Sequence, residues 1–227
     1  MHEWPHLGHI ITSTLDDGAD IINRSKSLGR MINNVLCYFS TRNAVVKLKL
    51  FKAYCSSLYG CELWELEHPR IEDIEIAWRK GLRRVWGVRP DTHSVLLPSL
   101  SDCLPCFDEL CRRSVKFINK CLNSDCAIVK FVSSNAVYHS RMRSPMGRNA
   151  LFCCQRYGWS VHDILSLTSH TVTAAVVESV SDETKQSVSF LLELIFMREN
   201  SLGVSGFTVE QITDIINFVS RPEGRPI

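Results

Sequence analysis

The sequence predicts a mainly α-helical fold, and three observations support that prediction. Apolar residues recur at intervals of three and four through most of the chain. Clusters of Pro, Gly, Asn and Ser separate these stretches. Strand-like alternation occurs over Leu7–Thr14, with Gly8 inside it. We therefore expect a short N-terminal strand or hairpin, then a three-helix unit, then a helical C-terminal domain.

The first predicted helix follows a group of acidic residues. Asp16, Asp17 and Asp20 lie where carboxylates cap a helix and complement its dipole. An apolar stripe comes next, formed by Ile21, Leu28, Met31, Ile32, Val35, Leu36 and Phe39. Adjacent aspartates also hold metal ions in two-metal enzymes, but such a site needs a further carboxylate from another strand. We interpret this pair as part of the helix N-terminus.

A second helix is predicted over about 42–58. Its predicted buried residues are Val45, Leu48, Phe51 and Cys55, and its lysines Lys47, Lys49 and Lys52 face elsewhere on the circumference. The stretch from Ile21 to Cys61 contains seven Lys and Arg residues and no acidic residue. These cations therefore have no local counter-charge.

The third predicted helix, about Ile71–Val85, changes sign along its length. Acidic residues occupy its first turns, and its last turns carry Arg79, Lys80, Arg83 and Arg84. One interpretation is a capped surface helix, because both ends complement the helix dipole. The other is a phosphate-binding face, because the arginines recur one turn apart beside the flat rings of Trp78 and Trp86. Charge alone does not choose between them.

Charge is divided unevenly along the chain. Residues 1–156 contain 22 Lys and Arg against 15 Asp and Glu, whereas residues 157–227 contain 4 against 9. The first part therefore has a formal net charge of +7 and the last part −5. This asymmetry predicts that a polyanionic partner binds the first two thirds of the chain.

Further helices are predicted along the rest of the chain. They cover about 106–122, 126–134, 148–157, 161–167, 184–198 and 208–219. The last of them has an apolar face formed by Phe207, Val209, Ile212, Ile215, Ile216, Phe218 and Val219. We expect that face to pack against the stretch Val188–Phe196.

The sequence contains no motif that assembles a catalytic, metal or cofactor site. Cys103 and Cys106 have the spacing of a zinc pair, but no second closely spaced pair follows to complete a structural site. We interpret the ten cysteines as small core hydrophobes in a reducing, intracellular setting. No apolar run approaches the roughly 20 residues that span a bilayer. We therefore predict no catalytic residue, no metal, no cofactor and no membrane partner.

Several short segments follow one another in a characteristic order. They are Leu7-Gly8-His9-Ile10, a Leu-Phe-Lys-x-Tyr element over 50–54, Tyr59-Gly60-Cys61-Glu62-Leu63-Trp64, the arginine-rich stretch 79–87, and Ser144-Pro145-Met146-Gly147-Arg148-Asn149. Their order and spacing resemble the region after the catalytic palm in the reverse transcriptases of non-LTR, LINE-type retrotransposons. The resemblance extends over nearly the whole chain.

The resemblance implies a division of the chain into three parts. Residues 1–15 would be the end of the palm, 16–90 a thumb-like helical unit and 91–227 a helical C-terminal domain. Intact members copy RNA into DNA at a nicked target, and their thumb contacts the template–primer duplex. The strands that carry their catalytic carboxylates have no counterpart in this sequence, so we expect no polymerase activity from this chain alone.

The expected function is sequence-independent binding of RNA or an RNA–DNA duplex. The predicted phosphate contacts are Lys47, Lys49, Lys52, Arg79, Lys80, Arg83 and Arg84, with Trp78 or Trp86 stacking on bases. One alternative is an interaction or relic protein that self-associates through surface left by the missing palm. Another is a chain that complements a separately encoded palm.

Overall fold

The computed structural model describes residues 3–39, 44–88, 90, 94–139, 143–167 and 171–180. Strands β1 (Glu3–His6) and β2 (His9–Thr12) form a two-stranded antiparallel sheet. The helices that follow are α1 (Gly18–Tyr38), α2 (Ala44–Tyr54), α3 (Ile71–Trp86), α4 (Leu96–Leu100), α5 (Cys106–Leu122), α6 (Ala127–Ser134), α7 (Pro145–Tyr157) and α8 (Val161–Ser166). The predicted fold class, mainly helical after an N-terminal hairpin, is confirmed.

The hairpin has a two-residue connection. His6 and His9 are register partners, and between them Leu7 and Gly8 have φ angles of 47° and 84°. Positive φ at both central residues gives a turn whose twist matches the strands on either side. Glycine adopts such angles without strain, which accounts for Gly8 at the second position.

Helix α3 ends where its sequence predicts. Gly87 follows it with φ of 68°, and its N–H donates to the carbonyl of Arg83. Acidic residues lie in the first turn and arginines in the last, so both ends complement the helix dipole. The buried face consists of Ile71, Ile74, Trp78, Gly81, Leu82 and Val85.

Helix α2 packs through Leu48 and Phe51, and Cys55 just after the helix is also buried. The side chain of Arg113 on α5 reaches the carbonyl of Ser56, 2.6 Å from Nη2, and also the carbonyl of Ser57. Arg113 thereby donates hydrogen bonds to carbonyl groups just after α2, where the end of a helix leaves carbonyls without intrahelical partners. The prediction that Val45 is buried is wrong, because its side chain is exposed in the first turn.

One apolar core runs through the described helices. It contains buried residues from Ile21 in α1 to Val172 in the helical stretch 171–180, and includes members from α3, α5 and α7. The amide of Asn149 in α7 binds the first helices to the later ones: its Nδ2 lies 2.8 Å from the carbonyl oxygen of Trp64, and its Oδ1 accepts from the N–H of Leu66 at 2.9 Å. The core is thus continuous across residue 90, where we placed a domain boundary; that boundary stays a prediction.

Several elements were not predicted. They are α4, the 3₁₀ helix Cys61–Leu63, the π-helical turn Asn135–His139 and the helical stretch 171–180. The predicted helices over 184–198 and 208–219, and the expected contact of Val188–Phe196, lie outside the described residues. Among the described helices, none combines the length and the apolar character needed to cross a bilayer.

Candidate nucleic-acid interface

The cations of α3 do not all share one side of the helix. Arg84 faces α1, where its Nη1 lies 2.5 Å from Oδ1 of Asn33. Arg79 instead lines a cavity of about 410 Å³ that residues of α4, α5 and α7 also border. Five residues in an α-helix correspond to a rotation of about 140° from the nearest whole turn. Arg79 and Arg84 therefore cannot contact the same stretch of a phosphate backbone.

The cavity beside Arg79 contains acidic as well as basic groups. Glu75, Asp108 and Arg156 also line it. Asp108 is buried and accepts from Arg156 Nε at 3.0 Å and from the hydroxyl of Tyr157 at 2.7 Å. Burial raises the pKa of Glu75, an effect that the nearby guanidinium of Arg79 opposes. The positive charge of Arg79 thus faces local acids rather than open solvent.

The lysines of α2 are also dispersed. Lys52 donates from Nζ to the carbonyl oxygen of Asp102 at 2.6 Å, and its Nζ lies 3.8 Å from the Asp102 carboxylate. Lys47 is half-buried, whereas Lys49 is exposed. Lys47 and Lys52 are five residues apart and point to different sides of α2. These three residues do not form one basic patch.

The prediction that Trp78 stacks on bases is wrong. Its side chain is 4% exposed, and its ring meets the ring of Phe51 edge to face at 5.1 Å between centroids. The physical reason is its position in the apolar stripe of α3, one turn after Ile74 and one turn before Leu82. Trp86 is partly buried, and its Nε1 donates to Ser101 Oγ at 2.9 Å.

Exposed cations of α1 and α3 do lie beside each other. The contact between Arg84 and Asn33 joins the two helices. Lys26 lies two turns before Asn33 on the same side of α1, Arg30 lies one turn after Lys26, and Lys80 lies one turn before Arg84. All four cations are exposed. We name these five residues the α1–α3 basic surface.

Helix α1 has no acidic residue after Asp20, and α3 has none after Glu75. The Lys26 end of the surface lies near the acidic start of α3, because the hydroxyl of the adjacent Ser25 donates to the carbonyl oxygen of Asp73 at 3.1 Å.

The remaining site prediction, Arg83, is half-buried on α3. The α1 cations were recognised in the sequence as lacking a local counter-charge but were not included among the predicted contacts. Lys26 and Arg30 are identified by their helical spacing from Asn33. That spacing becomes informative only once the contact between Asn33 and Arg84 is known.

Two of the sequence motifs meet at the buried carboxylate of Asp20. Its Oδ2 lies 2.9 Å from Nδ1 of His9 and accepts from Nε1 of Trp64 at 2.8 Å, while its Oδ1 accepts from the N–H of Ile10 at 3.0 Å. Gly60 lies against the His9 ring, where a β-carbon would be 1.7 Å from Cε1. The Leu-Gly-His segment and the Tyr-Gly-x-Glu-x-Trp segment therefore pack directly on each other.

Arg24 strengthens the same junction. Its Nη2 donates to the carbonyl oxygen of Gly8 at 2.7 Å, and its guanidinium lies 5.5 Å from the centroid of the Tyr59 ring. The His9 ring is also near that of Tyr59, at 5.3 Å between centroids. The guanidinium of Arg24 is therefore occupied by contacts within the fold.

The segment 144–149, from a later part of the sequence, also contacts this region. Arg148 forms a two-armed ion pair with Glu65, with Nε 2.6 Å and Nη2 2.9 Å from the two carboxylate oxygens. The adjacent Asn149 holds the backbone around Trp64, as described above. Three of the segments that carry the family resemblance, 7–10, 59–64 and 144–149, are therefore neighbours in space.

The aspartates before α1 are bound by protein donors. Asp16 Oδ1 lies 3.1 Å from Nε2 of His68, and that hydrogen bond lowers the pKa of Asp16. Asp17 Oδ2 accepts from the N–H of Glu65 at 2.8 Å, and burial raises its pKa. Within the described ranges, no three His, Cys, Asp or Glu side chains come together as a metal site. The arrangement fits a structural role for this Asp-Asp pair.

The cysteines of the chain are free thiols, and most are buried. Burial raises the pKa of Cys55 to about 11 and that of Cys61 to about 12. Comparison with protein-family models, with curated proteins and with solved structures finds no match.

Proposed function

We propose that this chain derives from a LINE-type reverse transcriptase and binds RNA or an RNA–DNA duplex without sequence preference. The observation that carries the proposal is the α1–α3 basic surface, in which exposed cations from two helices lie beside each other around the contact between Arg84 and Asn33. Contacts between such cations and phosphates release counterions and supply most of the affinity of non-specific binding.

The chemistry of the surface suits phosphates. Lysine ammonium groups on flexible stems act as point charges. Arg84 has five N–H donors, and the contact with Asn33 uses one of them. Trp78 is buried and Trp86 is partly buried, with its Nε1 donating to Ser101. The proposal therefore includes no base stacking by Trp78. Contacts to the backbone alone position a duplex but do not select its sequence.

The proximity of three motifs supports the proposed family origin. Residues of the Leu-Gly-His, Tyr-Gly-x-Glu-x-Trp and Arg148-Asn149 segments pack around Asp20 and the backbone of Trp64. This is what one folded thumb-like unit would require. The proposal assigns no chemical step to Asp16, Asp17 or Asp20, because protein donors occupy each of these carboxylates.

The proposal is tested by fluorescence anisotropy with labelled RNA–DNA duplexes of two unrelated sequences. The protein should bind both with similar affinity. The variant Lys26→Gln/Lys80→Gln/Arg84→Gln should bind both about tenfold more weakly or worse, because three phosphate contacts are lost.

A matched control removes the same charge elsewhere. Lys120, Lys130 and Arg143 are exposed and lie outside α1 and α3. The variant Lys120→Gln/Lys130→Gln/Arg143→Gln should retain affinity within about twofold. Charges removed away from the binding site affect affinity only through long-range electrostatics, which salt screens. Equal weakening by both variants would show that the α1–α3 basic surface is not the binding site.

A second candidate function is protein interaction. Large apolar side chains are exposed around the end of α1 and the start of α2, namely Tyr38, Phe39, Val45 and Val46. Several exposed large apolar side chains of this kind are typical of a contact with another protein. Light scattering that shows concentration-dependent association, combined with no retention of either duplex, would favour this function over nucleic-acid binding.

A further inference from the structure

The cavity beside Arg79 lies between α3, α4, α5 and α7 and has a volume of about 410 Å³. Pockets of about 300–1,000 Å³ with apolar walls and a few polar groups are typical sites for small molecules. Five of the apolar residues that line this cavity are Leu82, Val95, Leu97, Pro98 and Phe107. Its size and its walls therefore suit a small molecule with an apolar body.

Two charged side chains of the cavity are already paired with each other. Asp108 is buried, and its Oδ1 accepts from Nε of Arg156 at 3.0 Å and from the hydroxyl of Tyr157 at 2.7 Å. The guanidinium of Arg156 also lies over the ring of Phe107, 5.1 Å from its centroid. These contacts make Asp108 and Arg156 part of the wall of the cavity.

Two further charged side chains, Glu75 and Arg79, line the same cavity without such contacts. Both are half-buried and lie one turn apart on α3. Within the described part of the chain, neither makes a hydrogen bond or a close ion pair; their mutual attraction acts over a longer distance. Partly desolvated charges gain from hydrogen-bonding partners. The cavity therefore offers a ligand one carboxylate and one guanidinium.

We propose that this cavity binds a free α-amino acid with a large apolar side chain. The ammonium group of the ligand contacts Glu75, its carboxylate accepts from Arg79, and its side chain packs against the apolar wall. An α-amino acid carries both charges on one carbon atom, which matches two side chains one helical turn apart. A phosphate-bearing ligand is less suited, because acids and arginines line the cavity in equal number. The site lies on a different side of α3 from Arg84 and is separate from the α1–α3 basic surface.

The inference is tested by a ligand-observed NMR titration of L-phenylalanine with the full-length chain. The wild-type protein should bind it with a Kd of about 1 mM or tighter. Glu75→Gln and Arg79→Gln each conserve the shape of the side chain and remove one charge, so each should weaken binding about tenfold. The control Glu72→Gln/Lys120→Gln removes one exposed acid and one exposed cation outside the cavity and should leave the affinity within about twofold. Circular dichroism checks that each variant is folded.

Ligands that lack one charged group assign the two contacts. N-acetyl-L-phenylalanine has no ammonium group, so Glu75→Gln should not weaken its binding. L-phenylalaninamide has no carboxylate, so Arg79→Gln should not weaken its binding. The inference is overturned if L-phenylalanine does not bind the folded wild-type protein, or if each variant weakens the binding of all three ligands equally.

Discussion

Replacement of Gly60 by alanine probes the junction between the N-terminal hairpin and the turn before the 3₁₀ helix. Gly60 has φ of 81°, and a β-carbon there would lie 1.7 Å from Cε1 and 2.1 Å from Nε2 of His9. These separations are far below contact distance. The imidazole must move, and its 2.9 Å contact with the buried carboxylate of Asp20 must then break.

Two effects determine how much Gly60→Ala reduces the free energy of unfolding. An alanine in the left-handed region destabilises the fold by about 1–2 kcal/mol. A hydrogen bond to a charged group contributes about 1.5–3 kcal/mol. We therefore expect Gly60→Ala to reduce the free energy of unfolding by about 2.5–5 kcal/mol, a large share of the roughly 5–15 kcal/mol typical of a domain.

Urea denaturation followed by circular dichroism measures this change by linear extrapolation. Gly87→Ala is the matched control, because Gly87 has φ of 68° and no atom within 4 Å of an added β-carbon. It should reduce the free energy of unfolding by about 1–2 kcal/mol, the conformational effect alone.

The His9 contact itself is isolated by a double-mutant cycle. In the His9→Ala background, Gly60→Ala should destabilise the protein by about as much as Gly87→Ala does, since the imidazole is no longer there to be displaced. If Gly60→Ala and Gly87→Ala have equal effects in the wild-type background, the packing of His9 on Gly60 is refuted.

Three further predictions concern the buried polar groups and thiols. Asn149→Ala should reduce the free energy of unfolding by about 2–5 kcal/mol in urea titrations, because it leaves a buried carbonyl and a buried N–H without partners. Burial alone would raise the pKa of Glu109, but hydrogen bonds from two arginines outweigh burial and lower the pKa below 4.5. The free energy of unfolding should therefore fall as the pH drops below about 4.5. The variant Glu109→Gln should lose part of this pH dependence of stability. Ellman's reagent should react rapidly with the exposed thiols Cys37 and Cys126, and a Cys37→Ser/Cys126→Ser variant should lose that rapid phase.

Each of these predictions has a clear opposite outcome. Gln155→Ala is the control for Asn149, because Gln155 is exposed on the same helix, and similar effects of both changes would argue against the buried bridge. An unchanged pH dependence in Glu109→Gln would show that its arginine contacts do not stabilise the fold. Rapid reaction of Cys61 in the double variant would contradict its burial.

The elements that the sequence predicted are those with local signals. Helix α3 has acids at its start, a left-handed glycine after its end and apolar residues between them, so its bounds follow from the sequence alone. The hairpin was predicted only in part: the stretch 7–14, expected to be strand-like, contains β2 (His9–Thr12), but Gly8 lies in the turn and β1 (Glu3–His6) was not predicted. Helix α4 was missed because its five residues, Leu96–Leu100, are too few to show a period and include a proline.

The prediction that Trp78 contacts a ligand was wrong for a different reason. The adjacent cations Arg79 and Lys80 suggested a ligand-binding face, but the spacing of Trp78 from Ile74 and Leu82 places it in the buried stripe of α3. Apolar periodicity should have outweighed adjacency in the sequence. Contacts such as Asn149 with Trp64, 85 residues apart, have no local signal and require the fold.

The most direct test of the proposed nucleic-acid interface is the salt dependence of duplex binding. Each phosphate contact contributes about 0.9 to the slope of log affinity against log salt concentration. Lys26→Gln/Lys80→Gln/Arg84→Gln should therefore reduce the magnitude of the slope by about 2.7, whereas the control variant of Lys120, Lys130 and Arg143 should leave it unchanged. Equal slopes for the wild-type protein and the α1–α3 variant would contradict the claim that these cations contact phosphates.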